Sequence, residues 1–316
     1  MTDERSTIYQ QTISESKKDP RFIVTKWIRN KAKVLDVGCA CGDLGVYLKN
    51  NRGCEMYGFE YNQGSIKIAE DTSAYIRIHQ ADLNSFSPEL FNYQSSFDVI
   101  VLCDVLEHLL DPLATIQKLK SFLKEDGFIL MSIPNLTHAS IKILLLANKI
   151  DYRKTGLLDE THLRFFTWRS IYDLLDRAML DVAAVDMTFC TAFTGNLRGY
   201  ITNKNVLMYI LQDDESYVVQ YVLKVCKAPG KPSFKAFLSM IKECFMDHAP
   251  LINRLRSKDM LRLKMLNPYT LRGNYIKLLG RILLKKIIYR ISPSSRRLKK
   301  INDLTIKADY LKKALR

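Results

Sequence analysis

The chain has 316 residues, 47% of them apolar, which allows one large domain, or one domain with an appendage, around a sizeable core. Its net charge of +15 is uneven: residues 231–316 hold 22 Lys+Arg against 5 Asp+Glu, and residues 1–230 carry a net charge of −2. Seven cysteines, odd in number and irregularly spaced, speak against a disulfide framework and for reduced, largely buried thiols. The stretch 1–20 is polar and lacks the apolar core of a secretory signal. The most apolar run, 141–148, falls well short of the ~20 residues that span a bilayer. The reading expects a soluble, cytosolic protein.

Residues 31–37 (KAKVLDV) read as a short buried strand ending at Gly38, and 43–49 as a helix that Asp43 is placed to cap. Residues 55–60 form a second strand, 62–71 a second helix and 74–80 a third strand. The nearly continuous apolar run 97–103 is a strand covered on both faces. Pro112 opens a helix to Lys124, and 127–133 is a fifth strand stopped by Pro134. Residues 168–179 read as helix, 181–187 and 216–226 as two further strands, and 188–215 as a partly helical insertion. This alternation predicts an α/β fold with a doubly wound, mostly parallel sheet of seven strands. Pro229, Gly230 and Pro232 close the body. The expected organisation is a polar segment 1–20, a catalytic domain 21–228 and a basic helical extension 229–316.

In such sheets a ligand sits beyond the carboxyl ends of the strands, near the switch point. Gly38 and Gly42 there permit a tight bend and a close backbone approach, and the helix that follows offers N–H groups. Glu60 lies about 20 residues on, the spacing at which an acid binds a ribose diol. The dinucleotide fingerprint needs glycine at 38, 40 and 43, but Ala40 and Asp43 stand at the last two, so NAD is disfavoured. No P-loop run exists. Cys39 and Cys41 flank Ala40, but no second CxC or CxxC completes a zinc site, so no metal is expected and both are read as small residues in a crowded bend.

The segments VLDVGCACG, YGFE, ADLN, FDVIVLCDVLEHLLDP and GFILMSIPN, in this order and spacing, resemble the class I S-adenosylmethionine-dependent methyltransferases over about residues 21–227. Ala40 replaces the middle glycine of that family's loop. The resemblance implies S-adenosylmethionine as cofactor. Asp36 and the 38–42 loop, including Gly38, Ala40 and Gly42, would lie against its methionine part. Glu60 would take the ribose hydroxyls, and Tyr61 would flank the adenine. Asp82, with Leu83 beside it, would receive the adenine amino group. Cys103, Asp104 and His108 would line the pocket. Read without the family, Asp104, Glu107 and His108 are helix-capping and solvated surface residues.

The runs IPNLTH, GLLDETHLRFFT and DDESYVVQYVLKV resemble a bacterial methyltransferase subgroup tied to surface-polysaccharide assembly, which implies a saccharide or another small polar acceptor. A hydroxyl acceptor must lose its proton, and His138 and His162 fall in loops after the fifth strand, where either could take it. Arg164 could orient the acceptor. The bland alternative is that His162, Arg164 and Phe165 only pin the loop, with Phe165 and Phe166 in the core. In the basic third, Lys277, Arg281 and Lys285 share one helical face. The partner expected there is an anionic membrane surface, favoured by about 1 kcal/mol per basic residue, or a protein. Nucleic acid, which would make an RNA methyltransferase, is the lesser alternative: no aromatic-interleaved basic motif supports it.

Overall fold

The computed structural model describes residue 10 and residues 12–193, 204–228 and 233–264. Its elements in chain order are α1 (Pro20–Thr25), β1 (Lys33–Val37), α2 (Asp43–Arg52), β2 (Glu55–Glu60), α3 (Gln63–Asp71), β3 (Tyr75–Gln80), β4 (Phe97–Cys103), α4 (Pro112–Lys120), β5 (Leu123–Pro134), α5 (Ala139–Leu146), α6 (Trp168–Arg177), β6 (Leu180–Phe189), α7 (Lys204–Gln212), β7 (Val218–Lys227) and α8 (Phe234–Lys264). The seven strands form one sheet in the order β3-β2-β1-β4-β5-β7-β6. β1 pairs in parallel with β2 and β4, and β5 in parallel with β4. β7 runs antiparallel to both β5 and β6. The strand order reverses at β1 and β4, so the loops after these two strands frame the crevice.

Successive side chains of a strand point to opposite faces, and the core divides accordingly. Leu35, Val37, Ile100 and Leu102 join one apolar cluster, whereas Val34, Val99 and Val101 join another. Helices cover both faces, which is why β4 reads as an unbroken apolar run. Two helices that the sequence reading did not separate out are α1 and α5, whereas α8 falls in the extension it expected to be helical. α1 opens with Asp19 as N-cap, its side chain accepting from Arg21 N, and Pro20 at the first helical position. α8 buries Phe237, Ile241, Ile252 and Leu255 in the same cluster as the sheet, so this part of the basic third packs on the body. Lys277, Arg281 and Lys285 lie outside the described residues. Among the described residues no helix is long and apolar enough to cross a membrane.

At the opposite end of the sheet from the crevice, Asp98 ties the strand starts together. It accepts from Lys33 N (2.8 Å), Arg29 (2.8 Å) and Lys124 Nζ (2.8 Å). Burial raises its pKa, but these donors and cations outweigh it and hold the carboxyl below its usual range. A depressed folded pKa gives stability that is present above the ordinary carboxylate range and lost as pH falls through the folded value. Asp98→Asn is therefore expected to flatten the fall of Tm between neutral and acid pH, as read by thermal melts across that range.

Candidate active site

The loop after β1 is stitched to the end of β2. Gly38 N (2.7 Å) and Cys39 N (3.1 Å) both donate to Phe59 O. Glu60 Oε2 accepts from Ala40 N (3.0 Å), and its Oε1 accepts from Tyr61 N (2.9 Å) and Asn62 N (2.8 Å). An ionised carboxylate has about four acceptor sites. The residue expected to take ribose hydroxyls thus also shapes the loop, with lone-pair capacity left over. Gly38, Ala40 and Gly42 all have positive φ, +72°, +45° and +88°. A side chain costs about 1–2 kcal/mol in that region, so Ala40 carries strain that glycine would not. Ala40→Gly is expected to leave cofactor affinity intact and to leave Tm unchanged or raised.

Both cysteines of the loop are buried thiols outside any disulfide. Burial pushes the Cys39 and Cys41 thiols above the usual range, the opposite of a reactive or metal-binding thiolate. Cys39 also explains a glycine: a Cβ at Gly58 would lie 2.8 Å from its Sγ. The double variant Cys39→Ser/Cys41→Ser is expected to bind S-adenosylmethionine like the parent in a calorimetric titration.

The other strand ends complete the cleft. Asp36 is buried on β1 and accepts from Tyr75 Oη at 2.7 Å, and burial lifts it to about 6. Tyr61 is 70% exposed at the rim. Asp82 is exposed and accepts from Asn84 N (3.0 Å) and Ser85 Oγ (3.2 Å), while Leu83 packs on the core. Cys103 and Asp104 are half-buried after β4, and Asp104 sits at φ +54°. Its Oδ1 accepts from Ser132 Oγ on β5 (2.8 Å) and Gln220 Nε2 on β7 (2.6 Å). Desolvation raises the Asp104 carboxyl above its usual range.

Two parts of this cleft were not found by sequence reasoning. One is Arg21 on α1, whose guanidinium grips Asp19 through Nε (3.1 Å) and a terminal nitrogen (2.9 Å) and whose charge acts on both Asp36 and Asp104. The Asp19-Pro20 pair, an N-cap followed by a first-turn proline, was the signal for the helix that places it. The other is Glu107, read as a surface residue and in fact 1% exposed. Neither of its carboxyl oxygens has a hydrogen-bond partner among the described residues. Its carbonyl oxygen accepts from Leu163 N (2.8 Å) and Arg164 N (2.9 Å), so the DETHLRFFT loop is clamped directly over it.

That clamp brings His162 and His108 to the same place. His162 Nε2 lies 4.0 Å from Glu107 Oε1, and the two imidazole rings meet edge to face at 4.8 Å. His108 Nδ1 is shared between Thr161 O (3.2 Å) and Thr161 Oγ1 (3.0 Å). Burial lowers the pKa of both histidines below the usual imidazole range. Desolvation raises Glu107 well above the carboxylate range. Glu107, His108 and His162 each present a ligand atom within 4.8 Å of the others, a set that fits a divalent cation as well as a proton. Arg164 points Nε at Leu110 O (3.2 Å), so it pins the loop, and Phe166 is buried whereas Phe165 is 38% exposed.

His138 does not join this cluster. It is fully buried as the N-cap of α5, accepting from Ser140 N, with Nε2 against Cys190 Sγ at 3.3 Å. Burial pushes it down to about 4. An imidazole with no exposed edge has no route to an acceptor, so the proton-accepting role expected of it is corrected to a structural one.

The mostly parallel seven-stranded sheet with its strand-end cleft is the Rossmann-like fold of methyltransferases. The chain belongs to the methyltransferase domain family, whose model matches residues 11–185, more than half of its length. A ubiquinone biosynthesis O-methyltransferase of Actinobacillus pleuropneumoniae is 30% identical over 119 residues, 36% of this chain and 50% of that protein. Another so named, from Idiomarina loihiensis, is 30% identical over 159 residues, 49% of this chain and 63% of that protein. The chain spans about half the length of the first curated relatives it matches. Among solved structures, a SAM-dependent methyltransferase from Methanosarcina mazei aligns at 17% identity and TM-score 0.47, covering 65% of this chain and 97% of its own.

Proposed function

We propose that the protein transfers a methyl group from S-adenosylmethionine to a hydroxyl of a small acceptor, with Glu107 and His162 handling the proton. The observation that carries this is the Glu107 carboxyl: buried, without a partner on either oxygen, and facing His162 Nε2. Buried polar groups are almost always satisfied, and an orphan of this kind is costly unless a ligand or a transferred proton completes it. The cofactor supplies an electrophilic methyl carbon. The chain supplies orientation and a proton acceptor. His162 accepts the hydroxyl proton, and the Glu107 carboxyl facing its Nε2 positions the ring for that transfer. Asp104, held by Ser132 and Gln220 after β4, lies close enough to Glu107 for its charge to act on it. The naming of the curated relatives as O-methyltransferases supports oxygen as the atom methylated. A saccharide or another small polar molecule is the acceptor class the sequence favours.

The test is incubation with methyl-labelled S-adenosylmethionine and extract separated into small-molecule, glycan, lipid-linked and RNA fractions. Label on a hydroxyl-bearing small molecule or glycan is expected, and label confined to RNA overturns the reading. The Glu107, His108 and His162 cluster supports a second reading, a divalent cation that binds the acceptor oxygen. Proton transfer to His162 alone predicts full activity after exhaustive chelation, and the cation reading predicts its loss.

The basic residues beyond 264 are proposed to dock at an anionic surface. Because α8 is part of the core, the test removes residues 265–316 only. The shortened chain is expected to lose co-sedimentation with anionic vesicles while keeping cofactor affinity.

A further inference from the structure

A second cluster of ligand-bearing side chains lies where α8 meets the edge strand β6, and it shares no residue with the active site. Cys244 and His248 stand one turn apart on α8, which places both on one helix face. Asp186 of β6 faces them: its Oδ1 lies 3.4 Å from His248 Nε2. His248 Nδ1 is 2.9 Å from the Cys244 carbonyl oxygen and 3.7 Å from Cys244 Sγ. A carbonyl only accepts, so Nδ1 carries the hydrogen and donates it there, which leaves Nε2 to face the carboxylate. Nε2 and the Asp186 carboxylate thus face each other at a distance that a shared cation would span.

We propose that Asp186, Cys244 and His248 form a binding site for a divalent cation of zinc type, with water as the fourth ligand. One S, one N and one O donor suit that ion, and each contributes an atom within 4.8 Å of the other two. Ligand atoms about 2.0–2.1 Å from a tetrahedral zinc stand roughly 3.3–3.4 Å apart, the observed Nε2 to Oδ1 distance. The surroundings are those of ligating groups. The Cys244 carbonyl fixes the imidazole tautomer, Met187 N donates to Asp186 Oδ1 at 2.8 Å, and the Phe189 ring packs on His248 with centroids 4.8 Å apart. The Asp186 and His248 side chains are 21% and 12% exposed, which leaves an entry path. On binding, the Cys244 thiol gives its proton to solvent and ligates as thiolate. The bound ion clamps α8 to the last strand of the sheet and so stabilises the fold without entering the reaction.

Full-length protein, stripped with chelator and titrated with Co²⁺, tests this. A sulfur-to-cobalt charge-transfer band in the near ultraviolet is expected, saturating at one equivalent and displaced by Zn²⁺. The Glu107 cluster has no thiol and gives no such band. Cys244→Ser is expected to remove the band, and His248→Gln and Asp186→Asn to weaken Zn²⁺ binding by at least about tenfold in chelator competition. Zn²⁺ is expected to raise the Tm of the parent chain and not that of Cys244→Ser. Absence of the band in the parent chain, which needs no variant to fold, overturns the proposal, as does a band that survives Cys244→Ser.

Discussion

His162→Ala and Glu107→Gln are each expected to lower kcat by about 10²–10³-fold, within the range that general acid–base catalysis supplies. Cofactor affinity is expected to stay within a few-fold of the parent, because neither side chain touches the glycine loop or Glu60. The two losses are not additive. His162 accepts the proton through a ring that Glu107 positions, so the double variant should be little worse than either single one. Steady-state kinetics at saturating cofactor, with calorimetry on the same samples, separates the chemical step from binding. The Glu107 change also removes a buried group that desolvation holds above its usual range, so Glu107→Gln should be at least as thermally stable as the parent. A catalytically dead but stable variant is the signature of a group kept for function.

Gly42→Val is expected to abolish measurable cofactor binding. The residue sits at φ +88°, a conformation that β-branched side chains all but exclude. A Cβ there would meet Ala69 Cβ at 3.0 Å and the Tyr75 ring at 3.1 Å. Tyr75 in turn donates to Asp36 and accepts from Gly45 N (3.2 Å), so displacing its ring unseats the end of β1 and the start of α2 together. The strain of the backbone alone is about 1–2 kcal/mol, and the two contacts add to it. Gly42→Ala is the milder form, with a lowered Tm and at least about a tenfold loss of affinity, read by thermal melts and by titration with S-adenosylmethionine.

The sheet and the loops at its strand ends were legible because their signals are local. β2 and β4 were bounded to the residue, since an apolar run between turn residues marks a covered strand. The 38–42 loop was legible because glycine is needed where φ is positive. Asp36, Glu60 and Asp104 stand at or just beyond the strand ends that the pattern marked. The acid–base half was legible only in part. Nothing local distinguishes Glu107 from a solvated turn residue. It is buried because a loop more than 50 residues later lays Leu163 and Arg164 across its carbonyl. His138 shows the converse: its loop was placed correctly, but Cys190, 52 residues away, fills the space an acceptor would need. The charge of the basic third masked the apolar face of α8, which carries Phe237, Ile241 and Ile252 into the core.

The central claim is that the strand-end cleft holds S-adenosylmethionine beside a Glu107–His162 pair that works only in the chemical step. Calorimetric titration of S-adenosylmethionine into the parent chain and into Glu107→Gln, with turnover measured on both, tests it most directly. The account predicts one-to-one binding of similar affinity to both proteins and turnover by the parent alone. Absence of binding to the parent at saturating cofactor, or full turnover by Glu107→Gln, would contradict it.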